Sequence, residues 1–308
     1  MDEGFKAAYG LETAAGRLLL ARAVRRGVPQ VVLTAAAGSE EARRALQTVA
    51  EEVAGGAAAL AVCAPAAQTV VRRLRAPFAS PAKAARVWAS LLDVELPFPV
   101  ESAVCAYTGA RVENGGTVAI AAAIRKHELA TFDEACRAEG CDPTHCDAEA
   151  LALWSQQGAE APPARADQPR VVVWLGAGHV AVVRGRGLDF MAAHVIRTAP
   201  AGGGGAPFEG LWAARMRQIL EMHLTETGGS ELDLWWAGPG AEDEAQLARL
   251  RQNLPGEIAI RHEIHRQPGS LLVRALARRA ATGSGVNFKA GEFAHPALVA
   301  IRKKGLRR

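Results

Sequence analysis

The sequence predicts an α/β protein built in two similar halves, each opening on a β-hairpin. Three observations carry this expectation. Arg170–Gly185 is a β-branched run rising into Gly176 and Gly178, followed by a second run from His179 to Val183, which is the pattern of two strands joined by a glycine turn. A weaker twin lies near the N-terminus, where Tyr9, Gly10, Leu11 and Glu12 lead through Ala14, Ala15 and Gly16 into Leu18–Ala21. Between the halves, Gly158–Pro169 is a Pro/Ala-rich polar segment of the kind that links domains.

Each element follows from local pattern. The first hairpin spans Lys6–Val24 and a third strand Gln30–Ala35. Ser39 is an N-cap for a helix with apolar residues at Ala42, Leu46, Val49 and Val53, stopped by Gly55 and Gly56. Strands are expected at Ala57–Cys63 and Gln68–Leu74, then a helix from Ser80 and Pro81 that carries Val87, Trp88, Leu91 and Leu92 as far as Pro97. Glu101–Tyr107 and Gly116–Ala123 pair around Asn114 and Gly115, and helices follow at Lys126–Ala138, with Gly140 as C-cap, and at Asp147–Trp154. After the second hairpin come a strand at Leu188–Ile196, a flexible loop at Gly202–Gly205 and a helix at Glu209–Thr225. The strand Leu232–Trp236 ends in Ala237, Gly238, Pro239 and Gly240; a helix at Glu242–Asn253, a strand at Ile258–Ile264 and a helix at Leu271–Ala281 complete the half.

At 308 residues, 49% of them hydrophobic, the chain can fill two cores, and with only 5% aromatics Ala, Leu and Val must do most of the packing. The net charge is +4, and Arg302, Lys303, Lys304, Arg307 and Arg308 place five cations in the last eight residues. A basic tail of this kind meets nucleic acid, anionic lipid or solvent alone. Nucleic acid is disfavoured, because Arg72, Arg73 and Arg75 have few aromatics nearby to stack bases. The five cysteines, Cys63, Cys105, Cys136, Cys141 and Cys146, come without a signal-peptide pattern, which argues for reduced thiols over a disulfide framework. No run approaches the roughly 18 apolar residues of a membrane span.

Glycine turns can cradle phosphates through backbone N–H groups. A magnesium nucleotide site would also need a carboxylate at each hairpin, since magnesium prefers oxygen ligands. Glu12 can serve in the first; Trp174 holds the matching place in the second and ligates nothing, which counts against hydrolysis. Cys136, Cys141, His145 and Cys146 are separated by four, three and zero residues, a poor fit to tetrahedral zinc, so no metal is assigned. Neither a Gly-x-Ser-x-Gly elbow nor a Walker sequence is present, and no catalytic residue is assigned.

These residues resemble the actin-like PilM family of type IV pilus assembly and the cytoplasmic part of the related L protein of type II secretion. The stretch from Tyr9 to Leu19 is similar to the family's opening Gly-Ile-Asp-x-Gly-Ser hairpin. Val62–Pro65 with Thr69–Pro77, and then Trp88–Glu101, resemble the segments that follow it. Val171–Val183 matches the second Asp-x-Gly hairpin, and Trp236–Ala241 the adenosine-side glycine motif. The resemblance implies a duplicated actin-like, ribonuclease-H-like fold, two lobes around a cleft. Its expected limits are a first lobe at 1–157 with an inserted subdomain at about 78–140, a linker at 158–169, a second lobe at 170–284, and a docking segment and basic tail at 285–308.

Departures from the family pattern sit at the hairpins: Ala14 and Ala15 replace Gly and Ser, and Trp174 replaces Asp. The resemblance therefore implies a vestigial nucleotide cleft at Glu12, Ala14, Gly16, Trp174, Gly176, Gly178, Gly238 and Gly240. No cofactor is expected, with ATP and magnesium as the open alternative. At the other end, Val286–Phe293, with Asn287, Phe288, Gly291 and Phe293, resembles the Asn-Leu-x-x-Gly-x-Phe segment that joins the L protein's actin-like domain to its membrane span. In the pilus system a comparable segment belongs to a separate N protein that docks on the M protein. The implied role is a scaffold on the cytoplasmic face of the inner membrane, in a chain ending before its membrane helix. Its implied partners are the motor ATPase, platform proteins of the N and M type, an anionic membrane surface and a second copy of the chain. The alternative is an active actin-like ATPase or sugar-kinase-like phosphotransferase.

Overall fold

A computed structural model describes residues 5–25, 27–162, 165, 167–197 and 206–305, with only the backbone described at 206–209 and 301–305. The expected Gly202–Gly205 loop and the tail cations Arg307 and Arg308 lie outside the described residues, as do the side chains of Arg302, Lys303 and Lys304. The chain divides into two compact units, 1–152 with 273–308, and 153–272.

The first unit is built on strands β1 (Ala7–Ala14), β2 (Arg17–Val24), β3 (Gln30–Ala36), β4 (Ala58–Ala64) and β8 (His145–Ala148), in the order β3-β2-β1-β4-β8. β1, β2 and β3 form an antiparallel meander, while β4 runs parallel to β1 and β8 parallel to β4. The first hairpin closes on two residues, Ala15 and Gly16, both at positive φ (51° and 72°), the conformation whose twist matches paired strands. Side chains alternate across β1. Tyr9 lies on one face and hydrogen-bonds Glu52 of helix α1 (Glu40–Ala54) at 3.1 Å; α1 is capped by the Ser39 hydroxyl and buries Ala42, Leu46, Val49 and Val53. Gly10 lies on the opposite face, under helix α8 (Leu271–Thr282), where a Cβ would stand 2.1 Å from the Val273 carbonyl oxygen. Leu19, Ala21 and Ala23 pack with Val273 and Ala277 in the same layer.

A smaller sheet in this unit, β5 (Thr69–Ala76), β6 (Ala103–Glu113) and β7 (Gly116–Arg125), has the order β5-β7-β6. It packs small alanines against Trp88 and Leu92. The single helix expected from Ser80 is two, α2 (Pro81–Ala84) and α3 (Trp88–Asp93). Between them the Arg86 and Val87 N–H groups bond three residues back, to Lys83 and Ala84, a tighter turn than the α ladder. Helix α4 (Lys126–Ala138) has the expected limits. The helix expected from Asp147 begins two residues later as α5 (Glu149–Glu160), because Asp147 and Ala148 pair with Cys63 and Ala64 in the sheet. The basic tail starts in a helix, α9 (Pro296–Gly305).

The second unit repeats the first. β9 (Pro169–Leu175), β10 (His179–Arg186), β11 (Asp189–Arg197), β12 (Glu231–Ala237) and β13 (Ala259–Ile264) take the order β11-β10-β9-β12-β13, again an antiparallel meander beside parallel strands. Helices α6 (Ala206–Thr227) and α7 (Glu244–Gln252) bury Trp212, Met216, Leu220, Leu247 and Leu250 against Val171, Val173 and Trp236. The helix expected from Glu242 is preceded by a 3-10 turn at Pro239–Glu242, and Asp243 caps it by accepting from Ala245 and Gln246. No helix among the described residues is long and apolar enough to cross a membrane.

Gly10→Ala drives a methyl group into the α8 backbone, and overpacking of this kind typically costs about 1–3 kcal/mol. Urea denaturation of the variant should give a loss of at least about 2 kcal/mol, since the neighbour is main chain and cannot swing away.

Candidate functional site

In parallel sheets, ligand-binding groups gather at the carboxyl ends of the strands. In the first unit those ends hold Glu12 on β1, Cys63 on β4 and Glu149 at the start of α5. Glu149 is buried, and its Oε2 accepts the Ala66 N–H at 2.7 Å. Glu12 Oε2 is buried without a hydrogen-bond partner. Burial, reinforced by the Glu149 charge and opposed by Arg17, pushes the Glu12 carboxyl up to about 8. Burial and the same two carboxylates hold the Cys63 thiol well above its ordinary range. Two carboxyl groups therefore share this end of the sheet, one of them protonated at neutral pH. Glu149 escaped the sequence reading: an acid opening a helix is common, and only the β1-β4-β8 order brings it to Glu12, 137 positions away.

The equivalent end of the second unit is packed shut. Trp174 is 1% exposed, and a Cβ at Gly176 would stand 3.0 Å from its indole nitrogen. The second turn closes by a Gly176 N–H bond to the His179 carbonyl, with Gly178 at φ 83°. Gly238, at φ 96°, presses on β9: a Cβ there would lie 2.6 Å from the Leu175 oxygen, and one at Gly240 2.9 Å from the Leu175 Cβ. Both glycines are thus required by strand packing. Just beyond β13, His265 bonds Glu160 through Nε2 and accepts the Gln267 N–H at Nδ1.

A magnesium nucleotide fits these residues poorly. Trp174 offers no oxygen at the second hairpin, whereas magnesium needs anionic or carbonyl oxygens in near-octahedral array. Among the described residues no group of three His, Cys, Asp or Glu side chains could hold a metal ion. Ala14, Gly16, Gly176 and Gly178 lie in or beside the two hairpin turns.

The other predicted group, the segment around Asn287, is seated on the first unit. Asn287 Oδ1 accepts the Cys146 N–H at 2.9 Å and the Lys289 N–H at 3.0 Å, while its Nδ2 donates to the Thr144 oxygen at 3.3 Å. The Phe288 N–H donates to the Cys146 oxygen at 2.9 Å, so the segment adds to the edge of β8, and the Phe288 ring is fully buried. Lys289 Nζ reaches Asp133 on α4 at 2.6 Å, both side chains only 2% exposed. Upstream, Arg279 pairs with Asp147 in a second buried ion pair, and the chain at Gly285 passes so near that a Cβ would lie 2.3 Å from the Asp147 carboxylate. Gly291 turns at φ 56°, and the Phe293 N–H bonds Ala290. Asn287, Phe288, Gly291 and Phe293 are legible as a motif, whereas their anchors Asp133, Asp147 and Arg279 carry no local signal and are brought to them by the fold.

Because the folded Glu12 pKa lies above its unfolded value, its contribution to stability is complete below about pH 4.5 and is lost as pH rises through about 8. Thermal melts of Glu12→Gln should show a flatter pH profile than the wild type, with the variant a few degrees more stable at about pH 9. At the docked segment, Asn287→Ala strands the Cys146 and Lys289 N–H groups and should cost about 1–3 kcal/mol in urea denaturation. Phe288→Ala should cost about 3–5 kcal/mol.

No protein-family model and no curated protein sequence matches the chain. Solved structures do. A PilM–PilN type IV pilus biogenesis complex superposes with a TM-score of 0.65 at 16% identity, covering 89% of this chain and 98% of that one. The cytoplasmic domain of EpsL, an inner membrane component of the type II secretion system of Vibrio cholerae, gives 0.56 at 12% identity, covering 93% and 99%. At these identities the likeness is one of fold, and it extends over nearly the whole of each chain. The chain has the duplicated actin-like fold, of the form found in PilM and in the EpsL cytoplasmic domain.

Proposed function

We propose that this protein is a scaffold on the cytoplasmic face of the inner membrane, part of the assembly platform of a type II secretion or type IV pilus-like system, and that it joins platform proteins to the motor ATPase without hydrolysing ATP. The observation that carries this reading is the seating of Asn287 and Phe288 on the edge of β8. The pilus neighbour was solved as a complex of PilM with PilN, and the secretion neighbour is the cytoplasmic domain of an inner-membrane component. Here the segment that resembles the N protein's docking motif is covalently part of the chain it docks on, the arrangement expected of the L-type protein. In this reading 285–308 is a juxtamembrane docking segment and its cations face anionic lipid.

Loss of hydrolysis is supported by the second hairpin, where Trp174 fills the place of the acid. The second reading, an active ATPase or phosphotransferase, draws on the Glu12 and Glu149 pair.

Two measurements on the purified chain separate these readings. Phosphate release from magnesium ATP should stay at background; turnover abolished by Glu12→Ala would establish the second reading. Immobilised protein should retain the motor ATPase or the platform proteins encoded with it, and failure to retain any of them would overturn the scaffold role.

A further inference from the structure

Helix α4 ends in a Schellman motif: the Gly140 N–H donates to the Arg137 oxygen at 3.0 Å, the Cys141 N–H to the Cys136 oxygen at 3.0 Å, and Gly140 sits at φ 80°. This backbone turn brings the side chains at its two ends together, usually as an apolar contact. Here both ends are cysteine. The Cys141 thiol donates to the Cys136 main-chain oxygen at 3.1 Å, so its sulfur is folded back over the residue it would bridge to. Cys136 is partly buried, whereas Cys141 is 4% exposed. The remaining thiols are placed differently. Cys146 is fully buried in β8, Cys63 is on β4, and Cys105 is on β6 of the smaller sheet.

Two sulfurs are too few for a tetrahedral zinc site, and no third metal-binding side chain joins them among the described residues. What two thiols folded together by one backbone turn can do is oxidise to a disulfide. A disulfide needs its two Cα atoms within about 7 Å, and the hydrogen bonds of the turn already fold the two residues onto each other.

We propose that Cys136 and Cys141 form a redox-active dithiol that closes reversibly to a disulfide with oxidants of the peroxide class. In the net step both S–H bonds and the peroxide O–O bond break, the S–S bond forms, and each peroxide oxygen leaves as water carrying one thiol hydrogen. The sulfurs are oxidised and the peroxide is reduced. The bond ties together two points that grip the C-terminal segment: Asp133, one turn earlier on α4, holds Lys289, and Asp142, next to Cys141, holds His295 at 3.2 Å. Oxidation therefore stiffens the seat of that segment.

The test is to treat the reduced 308-residue chain with a small excess of hydrogen peroxide, titrate thiols in denaturant and map disulfides by mass spectrometry. Titratable thiols should fall from the five of the sequence to three, with a loss of two hydrogens on the peptide spanning Cys136 and Cys141, restored by dithiothreitol. The thermal midpoint of the oxidised form should rise by a few degrees. Cys136→Ser and Cys141→Ser should each keep all four of their thiols under the same treatment. Five thiols surviving in the wild type, a bridge between other cysteines, or sulfinic acid on a single cysteine would each overturn the proposal, and the wild-type mapping decides it even if a variant folds poorly.

Discussion

The first unit depends on how a four-residue edge strand is held. β8 has β4 on one side, and on the other the chain supplies its own C-terminal segment, fixed by the Asn287 side chain and the Phe288 N–H. Two buried ion pairs lock this arrangement, Asp147 with Arg279 and Asp133 with Lys289. Removing one member of such a pair strands a buried charge, which costs several times what an exposed pair contributes. The pairs thereby make register specific: a shift of one residue along β8 would turn Asp147 away from Arg279. Gly285 is part of the same constraint, since no larger residue passes over the Asp147 carboxylate.

Two units of one topology carry different chemistry at equivalent places. The first keeps a buried carboxyl, Glu12, beside a second acid; the second has a buried tryptophan and glycines consumed by packing on Leu175. A duplicated sheet needs its turns and core to persist, but nothing in the packing of the second unit calls for an acid at Trp174. At that place the indole is 1% exposed and lies against Gly176. Glu12, in contrast, stays where burial penalises its charge, which is the mark of a residue that packing alone does not favour.

Much of the fold was legible from the residues. Ser39, Gly55, Pro81, Asn114, Gly115 and Gly140 punctuate the chain through local backbone rules, and the structure follows them. Where local pattern misled, a distant partner intervened. Asp147 and Ala148 joined a sheet because β4 was there to pair with them, and the helix from Ser80 broke so that Trp88 could reach the core. That the glycines at 238 and 240 lie against Leu175 of β9 is likewise set by a partner distant in sequence.

The sequence by itself determined the two hairpins and the order of strands and helices, since each is written in adjacent residues whose propensities and spacing act over a few positions. Only the tertiary structure decided that Glu149 stands beside Glu12, that Asp133 and Asp147 receive Lys289 and Arg279, and that the Cys141 thiol donates to the Cys136 oxygen. The first two join residues more than 100 positions apart, set by sheet order and by the return of the chain to its first unit. The third is short-range, yet it rests on a backbone turn whose hydrogen bonds the cysteine spacing alone does not specify.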